Sequence, residues 1–223
     1  SKKISNKIKF KIFDSFNEEF ASYIEKKIPN KKNTLFFSLQ SRTIFNKEKI
    51  EFFINNLVNL HESRLPYDAG GAIYSWQILR EDRIAGITIH LIDKSVDSGP
   101  IIFSKRMLYP PSCVKPIDYK NFVDKNFLIF YKEFLSKLIN KNKLPLVYQS
   151  KYIGRYNPRL NDDQSGWINW DHDSHDLINF INAFDDPYKG ASTLISNKKF
   201  KKLFIKKAQL HGGESQNHPY MQG

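Results

Sequence analysis

Apolar and polar residues alternate most regularly in residues 86–92. Ile87 and Ile89 fall on one side of this segment and Thr88 and His90 on the other. A period of two predicts a strand with one buried face. Shorter apolar runs predict further strands at 34–39, at 57–60 and from 101 onward.

Apolar residues spaced three and four positions apart predict helices elsewhere in the chain. Ser15 and Glu18 form a capping-box pattern that begins the first helix, which buries Phe16, Phe20 and Ile24. The other helices are predicted at 47–54, 71–79, 118–140 and 173–184. The apolar stripe of the longest one comprises Phe122, Leu128, Phe134, Leu135, Leu138 and Ile139.

Helices and strands alternate as far as residue 141, which predicts an α/β fold around a sheet. Residues 142–164 are polar and contain proline and asparagine, which is typical of a linker on the surface. Residues 192–210 predict a β-hairpin that turns near Asn197 and Lys198. We therefore expect one domain at 1–141, followed by a linker, a helix and a hairpin at 142–223.

The composition of the 223 residues, 40% hydrophobic and 14% aromatic, is enough to fill a core and argues against disorder. The net charge of +12 favours polyanionic partners, although solvated lysines without a dedicated partner account for it equally well. No apolar run approaches the roughly 18–20 residues of a membrane span. Because Cys113 is the single cysteine, no intrachain disulfide can form. We expect a soluble protein of a reducing compartment, without membrane insertion.

Asn59 and His61 lie two residues apart at the end of a predicted strand, so their side chains leave the same face. Ligands of open α/β sheets gather at the carboxyl ends of strands. An amide donor beside an imidazole can stabilise an oxyanion and move a proton. The same spacing also suits two residues that only end a strand and bind its backbone, and the spacing alone favours that alternative.

Further motifs follow this pair in order. They are Ser63-Arg64-Leu65-Pro66, Gly70, Gly86-Ile87-Thr88-Ile89-His90 and Asp97-Ser98-Gly99-Pro100. The series resembles the folate-dependent formyltransferase family, whose signature is Asn-x-His, a Ser-Leu-Leu-Pro-like loop, a Gly-x-Thr strand and an Asp-x-Gly turn. Arg64 stands where the family usually has leucine, and the 36 residues from His61 to Asp97 agree with the family spacing.

The resemblance implies a Rossmann-like formyltransferase domain with 10-formyltetrahydrofolate as the formyl donor and no metal. Asn59, His61 and Asp97 would be catalytic. Asn59 and a protonated His61 would donate hydrogen bonds to the oxyanion, while Asp97 would favour the imidazolium and relay the proton of the attacking amine. The resemblance also implies that a loop contacts the pterin ring through Asp93, Lys94, Ser95 and Val96. Only 58 residues precede Asn59, so the N-terminal half of this domain is expected to be short or incomplete.

The C-terminal motifs resemble those of sugar-nucleotide formyltransferases. They are Tyr156-Asn157-Pro158-Arg159-Leu160, Gly166-Trp167-Ile168-Asn169-Trp170 and Ala183-Phe184-Asp185-Asp186-Pro187-Tyr188-Lys189-Gly190-Ala191. Asn169 replaces the usual acid. The implied acceptor is a dTDP-linked amino-dideoxysugar, with 4-amino-4,6-dideoxyglucose favoured, for O-antigen and lipopolysaccharide synthesis in a bacterial cytoplasm. Methionyl-tRNA, which would call for a larger C-terminal β-domain, and glycinamide ribonucleotide are the alternative acceptors.

Four residues are candidates for binding that acceptor. Tyr188 would stack on the base and Lys189 would meet the phosphates, while Trp76 and Gln77 would line the sugar pocket. Ordinary turn packing for Tyr188, solvent exposure for Lys189 and core packing for Trp76 remain open. The analogy with sugar formyltransferases also predicts a homodimer through the apolar hairpin.

Two other features are not expected to carry chemistry. His172, Asp173, His175 and Asp176 are too closely spaced for a usual tetrahedral metal site, and Asp173 is typical of a helix N-cap. Cys113 lacks the basic neighbours of a nucleophile. The charge of +12 leaves a non-catalytic nucleic-acid-binding module as a distant alternative to an enzyme, although no nucleic acid is expected.

Overall fold

A four-stranded sheet lies at the centre of the fold. The computed structural model describes residues 11–13, 15–39, 41, 44–140, 145–150, 152–195 and 201–210. Its helices are α1 (Glu18–Lys27), α2 (Lys47–Phe52), α3 (Ile73–Leu79), α4 (Pro116–Ile139), α5 (Asp162–Ser165) and α6 (Ser174–Ala183). Its strands are β1 (Phe36–Leu39), β2 (Leu57–His61), β3 (Asp68–Gly70), β4 (Ile84–Leu91), β5 (Ile101–Leu108), β6 (Arg155–Asn157), β7 (Ala191–Ile195) and β8 (Lys201–Ile205).

The central sheet has the strand order β1-β2-β4-β5. Strands β1 and β2 are parallel and are joined through α2, which makes the βαβ unit typical of Rossmann-like folds. Strand β4 pairs antiparallel with both β2 and β5. The α/β fold class predicted from the sequence is therefore confirmed, with a sheet of mixed direction.

One face of this sheet is buried under α4. Ile87 and Ile89 of β4 are fully buried in the same apolar cluster as Phe130 and Phe134 of the helix. The predicted strand is present, and Thr88 faces the side opposite Ile87 and Ile89, where its hydroxyl donates to the carbonyl of Ser63. Both faces of β4 are buried, however, and not one as expected. The side of the sheet away from α4 is consequently the polar one.

The predicted apolar stripe of α4 is wrong in part. Leu128 and Ile139 are 58% and 74% exposed, and Leu138 is exposed as well. Apolar residues surround this helix, so spacing alone does not single out the face that meets the sheet. The buried side chains of α4 are Pro116, Tyr119, Val123, Phe130 and Phe134.

Helix α1 begins later than predicted. Asn17, and not Ser15, is the N-cap, because its side-chain oxygen accepts the backbone N–H of Phe20 at 3.0 Å. Phe16 and Phe20 are only half-buried, and they pack with Phe52 and Phe53 at the end of α2.

The predicted linker at 142–164 contains structure that its composition did not indicate. Arg155–Asn157 forms β6, which pairs in parallel with β3, and α5 follows. A strand of three residues is too short to give a periodic signal. Strands β7 and β8 form the predicted hairpin, but its turn at residues 196–200 lies outside the described residues.

Helix α6 begins as predicted, because the Asp173 carboxylate accepts the backbone N–H groups of His175 and Asp176 at 2.9 and 3.0 Å. In the part of the chain that the structure describes, no helix has the length and apolar character needed to cross a membrane.

Candidate active site

Polar side chains of β2 and β4 meet on the face of the sheet opposite α4. Asn59 pairs with His90 and His61 pairs with Thr88 in the antiparallel register, so neighbouring positions across the two strands share one side. Asp97 comes from the loop between β4 and β5. The structure thereby brings Asn59, His61 and Asp97 together, as the sequence predicted.

His61 and Asp97 are the two predicted residues in closest contact with each other. His61 Nε2 lies 3.7 Å from Asp97 Oδ2 and 3.3 Å from the backbone carbonyl of Asp68. Both groups near Nε2 are acceptors, so this nitrogen carries a hydrogen. The two side chains are only 14% and 10% exposed, which strengthens the interaction between them.

The backbone around Asp97 is unusual. Asp97 has φ +54°, in the left-handed region that costs a residue with a Cβ about 1 kcal/mol. Its Oδ2 accepts the backbone N–H of Gly70 at 2.9 Å. Two positions later the chain passes so close to β4 that a Cβ on Gly99 would lie 1.9 Å from the carbonyl oxygen of Leu91. Glycine is therefore required where the loop turns back toward β5.

His90 is the member of the cluster that the sequence analysis missed. Its Nδ1 donates to the carbonyl of Leu91 at 2.8 Å, and its Nε2 accepts Asn59 Nδ2 at 3.3 Å. This pattern assigns a neutral ring with its hydrogen on Nδ1. The same Nε2 lies 3.7 Å from Asp97 Oδ1, so Asp97 stands between two imidazoles.

Burial, followed by the charge of His61, lowers the pKa of His90 below its ordinary value, although Asp97 and Asp93 oppose the change. A signal for this residue was available in the sequence, since His90 alternates with Ile89 and shares the polar face with Thr88.

A buried ion-pair network supports the loop after β2. Arg64 donates to Asp68 Oδ2 through Nε at 2.9 Å and through Nη2 at 2.6 Å, and it also binds Asp82. Arg80 lies 3.3 Å from the other oxygen of Asp68. Burial alone would lower the pKa of Arg64, but Asp68 and Asp82 outweigh it and raise this pKa.

The network bears on the site because the backbone carbonyl of Asp68 accepts from Ser63 Oγ and faces His61 Nε2. Arg64, the departure from the family pattern, thus holds the residue that His61 contacts. Its side chain lies over Gly86, where a Cβ would come 2.3 Å from Arg64 Cγ and 2.8 Å from its backbone nitrogen.

The predicted folate loop lies directly before Asp97. Asp93 Oδ1 accepts the backbone N–H of Ser95 at 3.0 Å and the hydroxyl of Ser98 at 2.6 Å, so Asp93 shapes the loop from within. Lys94, Ser95 and Val96 are exposed at its surface. Their backbone and side chains are therefore accessible to a ligand beside the cluster.

Two of the predicted sugar-binding residues lie next to each other on α3 but differ in their surroundings. Trp76 is half-buried, and its indole N–H donates to the carbonyl of Pro158 at 2.9 Å. Gln77 is 1% exposed. Its Nε2 donates to the carbonyl of Ile84, and its Oε1 accepts the hydroxyl hydrogen of Tyr109. We therefore assign Gln77 to the core instead of a sugar pocket.

The other two predicted substrate residues belong to the C-terminal part. Tyr188 is half-buried in a turn that its backbone closes on Asp185 at 3.1 Å. Lys189 is exposed, and it contacts acids of α5 through its backbone and Nζ. Within the described residues, no polar contact joins either of them to His61 or Asp97. Asn169 turns its side-chain oxygen to the backbone N–H of Asp171 at 3.2 Å.

The surroundings of the histidines near the start of α6 and of the single cysteine fit a role in packing and surface ion pairs, not in catalysis. His175 Nδ1 lies 2.8 Å from Glu81, and His172 Nδ1 lies 3.9 Å from Asp176. Among the described residues, no three His, Cys, Asp or Glu side chains are grouped so that they could hold a metal. Cys113 is buried, and burial raises the pKa of its thiol, which disfavours the thiolate.

Comparison with known protein families connects this geometry to two matching family models. The model described as "Formyl transferase" matches residues 13–111, and "Formyl transferase, C-terminal domain" matches residues 161–222. Both the site loops and the C-terminal hairpin fall within these ranges. Together they cover well over half of the chain.

Curated relatives with significant similarity carry different names. The methionyl-tRNA formyltransferase of Thermodesulfovibrio yellowstonii is 26% identical over 76% of this chain and 53% of its own length. The bifunctional polymyxin resistance protein ArnA of Wigglesworthia glossinidia brevipalpis is 25% identical over 82% of this chain and 27% of its own length. The chain thus spans about half, or less, of the length of these relatives.

Solved structures with the same fold include several sugar N-formyltransferases. The enzyme from Shewanella sp FDAARGOS_354 superposes with a TM-score of 0.66 at 22% identity, covering 87% of this chain and 76% of that one. WlaRD, a sugar 3N-formyl transferase solved with dTDP and 5-N-formyl-THF, superposes with a TM-score of 0.57 at 26% identity, covering 73% and 62%. Matched in both of its parts, the chain belongs to the formyltransferase family.

Proposed function

We propose that this protein is a folate-dependent sugar N-formyltransferase that uses Asn59, His61 and Asp97. The observation that carries the proposal is the placement of the Asp97 carboxylate 3.7 Å from both His61 and His90, with Asn59 bound to His90. This cluster offers hydrogen-bond donors and a carboxylate on one face of the sheet. Acyl transfer from a formamide to an amine needs both.

In the proposed reaction, a neutral amine of the acceptor attacks the formyl carbon of 10-formyltetrahydrofolate. The new C–N bond forms as the bond from the formyl carbon to N10 breaks, and N10 takes up a proton. A protonated His61 and one N–H of Asn59 would donate to the oxygen while it carries negative charge. Asp97 would receive the proton that the amine loses and would stabilise the charge on His61.

His90 supports this arrangement without carrying charge. Because its Nε2 accepts one N–H of Asn59, the other N–H of that amide is free to face substrate. Its low pKa keeps a second positive charge out of the cluster, so the Asp97 carboxylate remains available to His61. His90 would thereby hold the Asn59 amide in place, so that its second N–H points toward the formyl group.

A nucleotide-linked amino sugar is the proposed acceptor, and dTDP-4-amino-4,6-dideoxyglucose is our first choice. The sugar N-formyltransferases among the structural neighbours and the dTDP bound to WlaRD support this class. The net charge of +12 suits a diphosphate. The product would enter O-antigen or lipopolysaccharide synthesis in the bacterial cytoplasm.

We also propose that the hairpin of β7 and β8 joins two copies of the chain. Ile195 and Leu203 remain exposed on one face of this hairpin, and Leu194 and Phe204 on the other, at 38–53%. Exposed apolar side chains on so small an element are typical of a surface that a second molecule covers. Sedimentation of the purified protein at several concentrations would test the dimer.

A mass-spectrometric acceptor screen tests the proposed function. The protein and 10-formyltetrahydrofolate would be incubated with dTDP-, UDP- and GDP-amino sugars, glycinamide ribonucleotide and charged initiator tRNA. A folate-dependent gain of one formyl group on a nucleotide sugar is the expected result. Formylation of the tRNA or ribonucleotide alone would overturn the acceptor, and no product on any of them would overturn the activity.

A further inference from the structure

The segment 145–150 crosses the edge of the central sheet beside β5. Val147 makes two backbone hydrogen bonds with Ile101, at 2.8 and 2.9 Å. Two residues further along, Gln149 Nε2 donates to the backbone carbonyls of Asp97 at 2.8 Å and Gly99 at 2.7 Å. The region that follows α4 therefore holds the loop that supplies Asp97.

The geometry of that loop explains why such a contact matters. The carbonyls of Asp97 and Gly99 belong to the peptide groups Asp97–Ser98 and Gly99–Pro100. One amide nitrogen with two hydrogens binds both of them, which fixes the orientation of both peptide planes. Within the described residues, no other group donates to either carbonyl. Asp97 itself has a left-handed backbone, which surrounding contacts must maintain.

We propose that Gln149 is a positioning residue for Asp97. Its amide sets the peptide plane that follows Asp97, and through it the direction of the carboxylate toward His61, His90 and the backbone N–H of Gly70. The catalytic part of this inference rests on the proposed function, whereas the geometric part does not. Glutamine is suited to the role because a shorter asparagine would not reach both carbonyls and a glutamate would not donate at neutral pH.

The amide hydrogen of Gly70 reports the position of Asp97 directly, because it donates to Asp97 Oδ2 at 2.9 Å. Its exchange with deuterium, followed by ¹H–¹⁵N NMR, can be measured without any substrate. The variants are Gln149→Leu, which removes both donors, and Tyr148→Ala as the matched control. Tyr148 neighbours Gln149 in the same segment and is 77% exposed.

We expect Gln149→Leu to accelerate exchange at Gly70 about tenfold or more, while amides of β4 and β5 keep the rates of the unchanged protein. A displacement of about 1 Å at a reacting group can cost up to about a hundredfold in rate. The kcat for formyl transfer should therefore fall about tenfold or more, with KM for the acceptor within about twofold. Tyr148→Ala should change neither quantity.

Glutamate at position 149 gives a second test, because the pH dependence of Gly70 exchange would not change if Gln149 only filled space. Gln149→Glu should resemble Gln149→Leu at neutral pH, where a carboxylate cannot donate. It should recover part of the Gly70 protection as the pH is lowered toward the ordinary carboxyl pKa of about 4.3. If Gln149→Leu does not fold, Gln149→Glu and Gln149→Asn provide the same comparison.

Unchanged exchange at Gly70 in these variants would overturn the inference. Uniformly faster exchange at Gly70, β4 and β5 would also overturn it, since that result means general loosening. Faster exchange at Gly70 alone, in a protein that formylates no acceptor, would support the positioning role and refute the proposed function.

Discussion

Asn59 Nδ2 and His90 Nε2 lie 3.3 Å apart across the β2–β4 pair, and this hydrogen bond sets the direction of both side chains. The imidazole can accept the amide hydrogen only while it is neutral. The orientation of one proposed catalytic group thus depends on the protonation state of a second residue. The proposed chemistry therefore depends on a histidine that is not itself a donor to the substrate.

Substitution of His61 tests the proposed mechanism. We expect His61→Ala to lower kcat roughly a hundredfold or more, because an oxyanion donor and its charge are lost. The measurement is the steady-state rate on whichever nucleotide sugar the acceptor screen identifies. His172→Ala is the matched control, since His172 is exposed on the surface near α6. A rate within threefold of the unchanged enzyme would contradict the role of His61.

The low pKa of His90 predicts how stability changes with pH. The pKa of His90 in the folded protein lies below its ordinary value of about 6.5. Just below that pH, the unfolded chain therefore binds a proton at His90 that the folded chain does not bind. The free energy of unfolding should therefore fall as the pH is lowered from about 6.5.

Urea unfolding between pH 7.5 and 5 measures this effect. His90→Gln should flatten the dependence in that range, whereas His172→Gln should leave it unchanged. Equal slopes for all three proteins would show that His90 is not the group responsible.

The ion pairs of Arg64 predict a large effect on stability. Arg64→Leu leaves the fully buried Asp68 carboxylate with Arg80 alone and removes the partner of Asp82. Breaking a buried ion pair costs about 3–5 kcal/mol, and we expect the free energy of unfolding to fall by about 3 kcal/mol. Leucine is the residue that stands here in the family pattern, so the test replaces the ion pairs by the usual apolar side chain.

Arg106→Leu is the control for that experiment, because Arg106 is an exposed arginine of β5 that lies over Tyr67. Denaturant unfolding measures both variants. A loss below about 1 kcal/mol for Arg64→Leu would place it among ordinary surface pairs.

The assignment of Gln77 to the core predicts that stability and substrate binding respond separately. Gln77→Leu leaves the buried hydroxyl of Tyr109 and the carbonyl of Ile84 without this partner. We expect the free energy of unfolding to fall by about 1–3 kcal/mol, with KM for the acceptor unchanged. If the acceptor KM rose more than fivefold while the free energy of unfolding stayed unchanged, Gln77 would belong to the substrate pocket and not to the core.

Period-two alternation located β4. Asn59, His61 and Asp97 were predicted through the resemblance of the ordered motifs to the formyltransferase family, because the spacing of Asn59 and His61 alone favoured residues that only end a strand. His90 was also accessible to this reasoning, since it shares the polar face with Thr88. Gln149 was not, because its contact with the Asp97 loop joins segments far apart in the chain.

The errors have equally local causes. Leu128 and Ile139 were assigned to the core because α4 is apolar on several sides, and only the position of the sheet selects the buried one. Gln77 was a candidate for the sugar pocket because it neighbours Trp76 on the helix after the glycine pair, whereas Tyr109 and Ile84 provide its partners in the core. In both cases tertiary packing decided what residue type alone could not.

The pairing of β3 with β6 has a consequence for the order in which the protein matures on the ribosome. Residues 68–70 carry the carbonyl that faces His61 and the amide that binds Asp97, yet their partner strand is residues 155–157. During synthesis, the stretch that contains Asn59, His61 and Asp97 emerges well before its support does. A nascent chain that ends near residue 141 would therefore contain all three proposed catalytic residues but would lack both β6 and Gln149.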